Sequence, residues 1–401
     1  MDIEEIKKLE SEYGLPLYIF DEVGFRENYL NLLNTFRSIY PKYNIAYSYK
    51  TNYTPSICKI VKELGGYAEV VSEMEYQLAK KIGYENEKII FNGPVKGEAG
   101  FEAFKNGSIV NIDNKLELEN MISIAKQYPQ KKFSLGIRVN LDIGQDFVSR
   151  FGIEHRELET IYMSVDKVEN LNIVGLHCHI SRCRSIEAWK KRVEVMLSLS
   201  DIYFTEPPLY IDLGSGMYGD MDEYLARQFD NVPSYLEYGN VVARIFADHY
   251  KCSVNKPLLF TEPGTTLINK YIKLVSKIEA IKKIRGKCFA VLNCSIHNLG
   301  ETCLLKNLPM NIIHNNINST KFDSLDFSGY TCLEQDIMFK NFKGQLSVGD
   351  YVVFGNVGGY SNVLKPPFIR PNCAMVSKVG NNYKIIKKAE TFDYIFETYV
   401  F

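Results

Sequence analysis

Asn44-Ile-Ala-Tyr-Ser-Tyr-Lys50-Thr-Asn-Tyr53 is an apolar and aromatic run interrupted by a lysine, and Pro55 just beyond it opens a helical pattern. The run predicts a short buried strand ending at the lysine and followed by a helix. A lysine closing a buried strand is costly unless its ammonium is paired or its amine is used covalently. The alternative is a side chain that snorkels to solvent.

Outward from this unit, short apolar strands alternate with amphipathic helices. Strands are expected at 44–49, 67–70, 88–91, 108–110, 133–139, 173–179, 210–213 and 258–262. Helices are expected at 55–64, 74–81, 115–126, 186–197 and 235–250. Eight strands with crossover helices predict a (β/α)8 TIM-like barrel. An open doubly wound sheet is the competing architecture, but it usually carries fewer strands and a Gly-rich turn after the first. Beyond Lys270 the pattern changes to strands at 271–281, 288–292, 351–354, 374–378 and 383–387, separated by Gly-containing turns, which predicts a C-terminal all-β domain. The expected division is an N-terminal segment, 1–30, that contributes to the β domain, a barrel over 31–270, and the β domain over 271–401.

A chain of 401 residues with 46% hydrophobic content can build two cores. Its 47 basic and 48 acidic residues nearly cancel, which argues against a nucleic-acid partner. The charged opening Met1-Asp-Ile-Glu-Glu-Ile-Lys-Lys has no apolar signal region, and no apolar run is long enough for a bilayer. Nine scattered cysteines without a C-x-x-C pair fit reduced thiols. A soluble, cytoplasmic protein with no membrane partner is expected.

Several segments carry chemistry. The Lys50 amine is suited to a Schiff base with the aldehyde of pyridoxal 5'-phosphate (PLP). In Gly175-Leu-His177-Cys-His179-Ile-Ser-Arg182, alternation turns both histidines to one face, where one can stack on a flat ring; the alternative is a buried structural pair. A metal site needs further ligands, and their spacing is not evident, so none is expected. Asp212-Leu-Gly214-Ser-Gly216 offers backbone N–H groups to a phosphate, although tight turns give the same pattern. Thr261-Glu262-Pro-Gly264 places a carboxylate where it can keep a pyridine nitrogen protonated, or is an ordinary turn. Gly329-Tyr-Thr-Cys332-Leu-Glu334-Gln-Asp336 sets a thiol beside two carboxylates, and Gly358-Gly-Tyr360 presents a phenol on a flexible approach.

In this order the motifs resemble the alanine-racemase-like (fold-type III) PLP-dependent decarboxylases, diaminopimelate decarboxylases most of all, with ornithine and carboxynorspermidine decarboxylases as relatives. Ser149-Arg-Phe-Gly-Ile153 is similar to a further family segment, and the resemblance runs from about Ser11 to the C-terminus. It implies Lys50 as the Schiff-base lysine, Glu69 as the acid that contacts it, and His179 as the ring-stacking histidine. It also implies Gly214, Gly216, Gly264 and Tyr360 around the phosphate and Glu262 at the pyridinium. Cys332 matches a thiol delivered by the second subunit of a homodimer with shared active sites. An amino-acid racemase on the same barrel is an alternative, but it would not need the cysteine loop. A non-catalytic PLP carrier is another, but it would be barrel-only.

The chain also departs from the pattern. Thr265 stands where the family usually has arginine, and Ile180-Ser181-Arg182 replaces an Ile/Val-Gly-Ser turn. In the stretch His297 to Leu305, Glu301 and Leu305 replace an arginine and a tyrosine, and Leu333 replaces the acid after the cysteine. Arg182 is expected to compensate at the phosphate or at a substrate anion. Glu301, Leu333 and Glu334 are expected to face the substrate. A lost arginine clamp for a distal carboxylate points away from diaminopimelate and towards a diamino, modified or carrier-linked amino acid.

Overall fold

The computed structural model describes residues 1–315 and 319–401. It has two compact units: Met1–Asn28, Asp220–Asp230 and Leu267–Phe401 form one, and Tyr29–Gly219 with Asn231–Thr266 form the other. None of its described helices is long and apolar enough to cross a membrane. In chain order the strands are β1 (Leu17–Asp21), β2 (Tyr43–Ser48), β3 (Tyr67–Val70), β4 (Ile89–Phe91), β5 (Ile109–Ile112), β6 (Phe133–Asn140), β7 (Ile153–Glu154), β8 (Leu171–His177), β9 (Tyr210–Asp212) and β10 (Leu258–Thr261). The series continues with β11 (Ile272–Ile284), β12 (Lys287–Leu292), β13 (Met310–Ile313), β14 (Thr320–Ser328), β15 (Ile337–Leu346), β16 (Tyr351–Phe354), β17 (Ala374–Val379) and β18 (Asn382–Lys387).

In the second unit, β2, β3, β4, β5, β6, β8, β9 and β10 pair in parallel around a closed ring, β10 returning to β2, while β7 pairs with β6 alone. Closure at both β5–β6 and β10–β2 makes this a (β/α)8 barrel and rules out the open sheet. Alternation along each strand sorts the side chains. Ala46, Tyr67, Ile90, Tyr210 and Phe260 meet in one interior cluster, with Tyr67 edge-on to Phe260 at 4.6 Å. The Tyr210 side chain needs the space left by Gly175, where a Cβ would fall into its ring, and by Gly136, where a Cβ would strike its hydroxyl and Asn111. Two residues further along the strands, the same face carries Ser48, Glu69, Asn92, Asn111, Arg138, His177, Asp212 and Glu262, all buried. An apolar plug thus lies beneath a layer made wholly of polar groups.

The helices that return each strand include two the sequence pattern does not reveal, Gly97–Lys105 and Leu158–Val165. The first begins at a glycine, a weak helix former, and the second has only eight residues. The strand expected at 173–179 stops at His177, because the backbone leaves the ladder once the Cys178 N–H has bonded to the Asp212 carbonyl.

The first unit is a mixed sheet in which β1 lies between antiparallel β11 and parallel β17. β13, β14 and β15 are absent from the sequence expectation. β14 and β15 are largely exposed, with repeated register shifts between them, so neither shows a clean alternation. Antiparallel pairing with each other across the loop 329–336 holds them, helped by Phe327 packed against Phe339 and Phe342.

Candidate active site

β2 ends at Ser48 and the chain turns through Tyr49–Thr51, so Lys50 sits on the turn rather than in the strand. Its side chain is 31% exposed, and Nζ donates to Glu69 Oε2 at 2.5 Å. The Ser48 hydroxyl donates to the same oxygen at 2.7 Å, and Asn92 Nδ2 donates to Oε1 at 3.2 Å. Glu69 is buried, so these donors and the adjacent ammonium balance its charge.

Asn92 carries the network across the barrel, donating to Glu262 Oε1 at 2.5 Å. The Asn92 carbonyl oxygen accepts from Asn111, whose own carbonyl accepts from Tyr210. His177 Nε2 stands 3.2 Å from Glu262 Oε1 and His179 Nδ1 3.7 Å from Oε2, so both histidines of the motif face one carboxylate. Neither His177 nitrogen makes a hydrogen bond among the described residues, so its pairing with Glu262 is one of proximity rather than alignment. Burial pushes the Glu262 carboxyl up, but His177, His179 and Lys50 outweigh burial and hold it well below the usual range. Asp212 responds oppositely: burial and the Glu262 charge raise its pKa well above the ordinary value. The Asp212 Oδ1 atom accepts the Gly214 N–H at 2.9 Å, while Oδ2 has no partner among the described residues. Donor atoms of His177, Asp212 and Glu262 lie within 4.8 Å of one another. The amide of Asn92 already donates into that Glu262 oxygen, which leaves it less available to a cation.

The His179 imidazole accepts the Ser215 N–H on Nδ1 at 3.2 Å. Burial, with further repulsion from Lys50 and Arg138, lowers its pKa to about 4 against the pull of Glu262. A fifth of the side chain remains open. The result is a neutral ring in a set orientation at the mouth. The glycines around it have separate reasons. A Cβ on Gly214 would strike the Cys178 carbonyl, Gly216 has φ +110°, and a Cβ on Gly264 would overlap Thr51, the neighbour of Lys50.

The structure therefore brings Lys50, Glu69, His179, Gly214 and Glu262 into one hydrogen-bonded and ion-paired group, with Gly216 and Gly264 on the loops beside it. Arg182 has φ +66°, is exposed, and makes no hydrogen bond or ion pair among the described residues. In the first unit, Cys332 and Glu334 are exposed, Leu333 is half-buried, and Tyr360 adopts φ +56°. Glu301 is exposed at the head of the short helix Thr302–Leu305. Of the two carboxylates beside the thiol in sequence, Asp336 is buried and shapes the loop, accepting from Thr331 and from the Ile296 N–H.

Asn92, Asn111, Asp212 and Arg192 escaped the sequence reading. The first two show only as lone amides at the end of, or within, an apolar strand. Asp212 stands in a motif that draws the eye to its glycines. Arg192 is a cation on the apolar face of a helix, and it is buried completely.

Comparison with known proteins agrees with this geometry. The family described as pyridoxal-dependent decarboxylase, pyridoxal binding domain, matches residues 28–269. The chain belongs to that family. It is 28% identical to a diaminopimelate decarboxylase of Aquifex aeolicus over 98% of this chain and 93% of the relative. A diaminopimelate decarboxylase of Methanothermobacter thermautotrophicus is 24% identical over 96% of this chain and 91% of its own. Among solved structures, the diaminopimelate decarboxylase of Methanocaldococcus jannaschii superposes with a TM-score of 0.86 at 22% identity, covering 98% and 94% of the two chains. A lysine/ornithine decarboxylase from Vibrio vulnificus gives 0.76 at 18% identity, over 95% and 98%. The protein is accordingly a PLP-dependent decarboxylase of amino-acid metabolism. Its residues suit the cofactor: a partly open amine at the mouth of β2, an ionised carboxylate in the barrel and a neutral imidazole between the glycine loop and the carboxylate.

The low pKa of His179 sets a pH dependence. An imidazole free at 6.5 but held at about 4 on folding leaves the unfolded chain binding the extra proton between those values, so stability falls as pH drops through that window. In urea unfolding of the cofactor-free protein, wild type is expected to lose on the order of 3 kcal/mol more than His179→Phe across that interval. Equal slopes for the two would show that the imidazole protonates freely in the folded state.

Proposed function

We propose that Lys50 carries the cofactor and that Glu262 holds the proton on its pyridine nitrogen, with His179 stacked on the ring. The observation that supports this most is the continuous link Lys50–Glu69–Asn92–Glu262, which ties the amine to a carboxylate kept ionised inside the barrel. The bound group supplies an electron sink for the pair left behind when the α-carboxylate departs as CO2. Glu69 orients the Lys50 amine, and the raised pKa of Asp212 beside the lowered one of Glu262 favours keeping the negative charge on Glu262. Gly214, Gly216, Gly264 and Tyr360 take the phosphate side, whereas Arg182, expected there from the sequence, is exposed and bonded to nothing among the described residues. In this reading 31–270 is the PLP-binding barrel, and 1–30 with 271–401 is the β domain. The nine unpaired cysteines favour a cytoplasmic setting. Borohydride reduction of the yellow protein should fix cofactor on the peptide containing Lys50, and Lys50→Ala should abolish the label. Label retained on another lysine would remove Lys50 from this role.

Cys332 is assigned as the group that returns a proton to the α-carbon, reaching the barrel of the other subunit in a homodimer. Its exposure on a loop held by Asp336 supports this. Lys50→Ala and Cys332→Ala proteins, each crippled alone, should regain part of the activity when subunits exchange. Proven heterodimers with no recovered activity would mean that each site is built from one chain.

The substrate is an amino acid with a neutral or cationic far end, or one whose remote portion is modified or carrier-linked, facing Glu301, Leu333 and Glu334. The relatives named above as diaminopimelate decarboxylases argue for diaminopimelate. Thr265, Glu301 and Leu333 argue against it, because a distal carboxylate left desolvated without an arginine costs several kcal/mol. Diaminopimelate should therefore be a poor substrate in a CO2-release panel of L- and D-amino acids and diamino acids. Its emergence with the highest kcat/KM would overturn the argument from those three positions.

A further inference from the structure

The helix Ile186–Tyr203 buries Arg192 completely, stacked on Trp189 with the guanidinium carbon 4.2 Å from the ring centre. Among the described residues it makes no ion pair with a carboxylate within 4 Å, and its hydrogen bonds go to carbonyl oxygens. Nη1 donates to Leu213 O at 2.8 Å and to Ser215 O at 2.7 Å, and Nη2 to Ile180 O at 3.1 Å. Trp189 Nε1 adds a bond to Gly216 O at 3.2 Å. One turn of helix thus grips four carbonyls on the loops after β8 and β9.

In a planar trans peptide the N–H points opposite to its C=O. Drawing the Ile180, Leu213, Ser215 and Gly216 carbonyls towards the helix turns the N–H groups of Ser181, Gly214, Gly216 and Met217 away from it. The Gly214 N–H is taken by Asp212. The other three donate to no acceptor among the described residues, although Met217 is buried. Successive N–H groups converging from a turn form an anion nest. The intervening peptide is pinned the other way, its carbonyl accepting from Glu262 N at 2.8 Å and its Ser215 N–H donating to His179.

We propose that Arg192 is the positioning residue of the cofactor's phosphate cup. It aims the Ser181, Gly216 and Met217 N–H groups at the phosphate, and it lends that anion a buried positive charge in a chain with Thr265 after its Glu-Pro-Gly turn. This rests on the Asp212–Gly216 loop being the phosphate loop. It sets Arg192, which touches the loop, in place of exposed Arg182 as the main cationic contribution.

The test compares dissociation constants of the cofactor-free protein for PLP and for pyridoxal, which lacks the phosphate. Wild type should prefer PLP. Arg192→Met should lower that preference about 10-fold or more, on the scale of one lost charge-assisted hydrogen bond. Arg192→Lys, which keeps the charge but not the fork, should lower it less, and Arg182→Ala should change it little. Far-UV circular dichroism and Tm identify folded variants; where Arg192→Met does not fold, the Lys variant carries the comparison. A folded variant that keeps the wild-type preference, or that loses both ligands equally, overturns the proposal, as does a larger loss from Arg182→Ala. Absence of any PLP preference in wild type would instead strike at the phosphate-loop reading itself.

Discussion

Glu262 is a carboxylate shut inside a barrel, and a buried charge persists only where every neighbour is arranged to keep it. Asn92 donates to it, two histidines stand against it, and the pKa of Asp212 beside it is pushed up. The same amide reaches Glu69 and through it Lys50, so the ends of β2, β3, β4 and β10 share one electrostatic balance. Removing a member would leave a desolvated partner uncompensated, which is the costly failure of such networks.

The apolar plug beneath makes this possible. Tyr67, Tyr210 and Phe260 fill the interior and exclude water from below, and Gly136 and Gly175 exist to admit the Tyr210 side chain. Its phenol hands the structure over to the polar layer through Asn111. A closed parallel barrel gathers the ends of all its strands at one mouth, so one polar residue from each suffices to build a site.

The loops need a different device. Chains leaving β8 and β9 must come close enough for Gly214 to lie on Cys178, which only a residue without a side chain and with a positive φ allows. Arg192 and Trp189 then hold the loops from outside by their carbonyls. Backbone does the work at the mouth, and the helix behind decides which way that backbone faces.

Much of the barrel was legible in the sequence because short apolar strands and amphipathic helices alternate at a regular spacing. The eight strands were all placed within a few residues of where they lie, and so was the lysine at the first strand's end, displaced only onto the turn. Period two alone also sets Ser48, Glu69, His177, Asp212 and Glu262 on the inward face of their strands. What sequence could not supply was distance. Asn92 and Glu262 stand 170 positions apart, and only closure of the ring makes them hydrogen-bonded neighbours. The raised pKa of Asp212, the neutral His179 and the grip of Arg192 on three carbonyls follow from burial and from groups brought together across the barrel, which no local pattern encodes. The exposed strands β14 and β15 failed to show for another reason, since their outward faces and the register shifts between them leave no clean alternation to read.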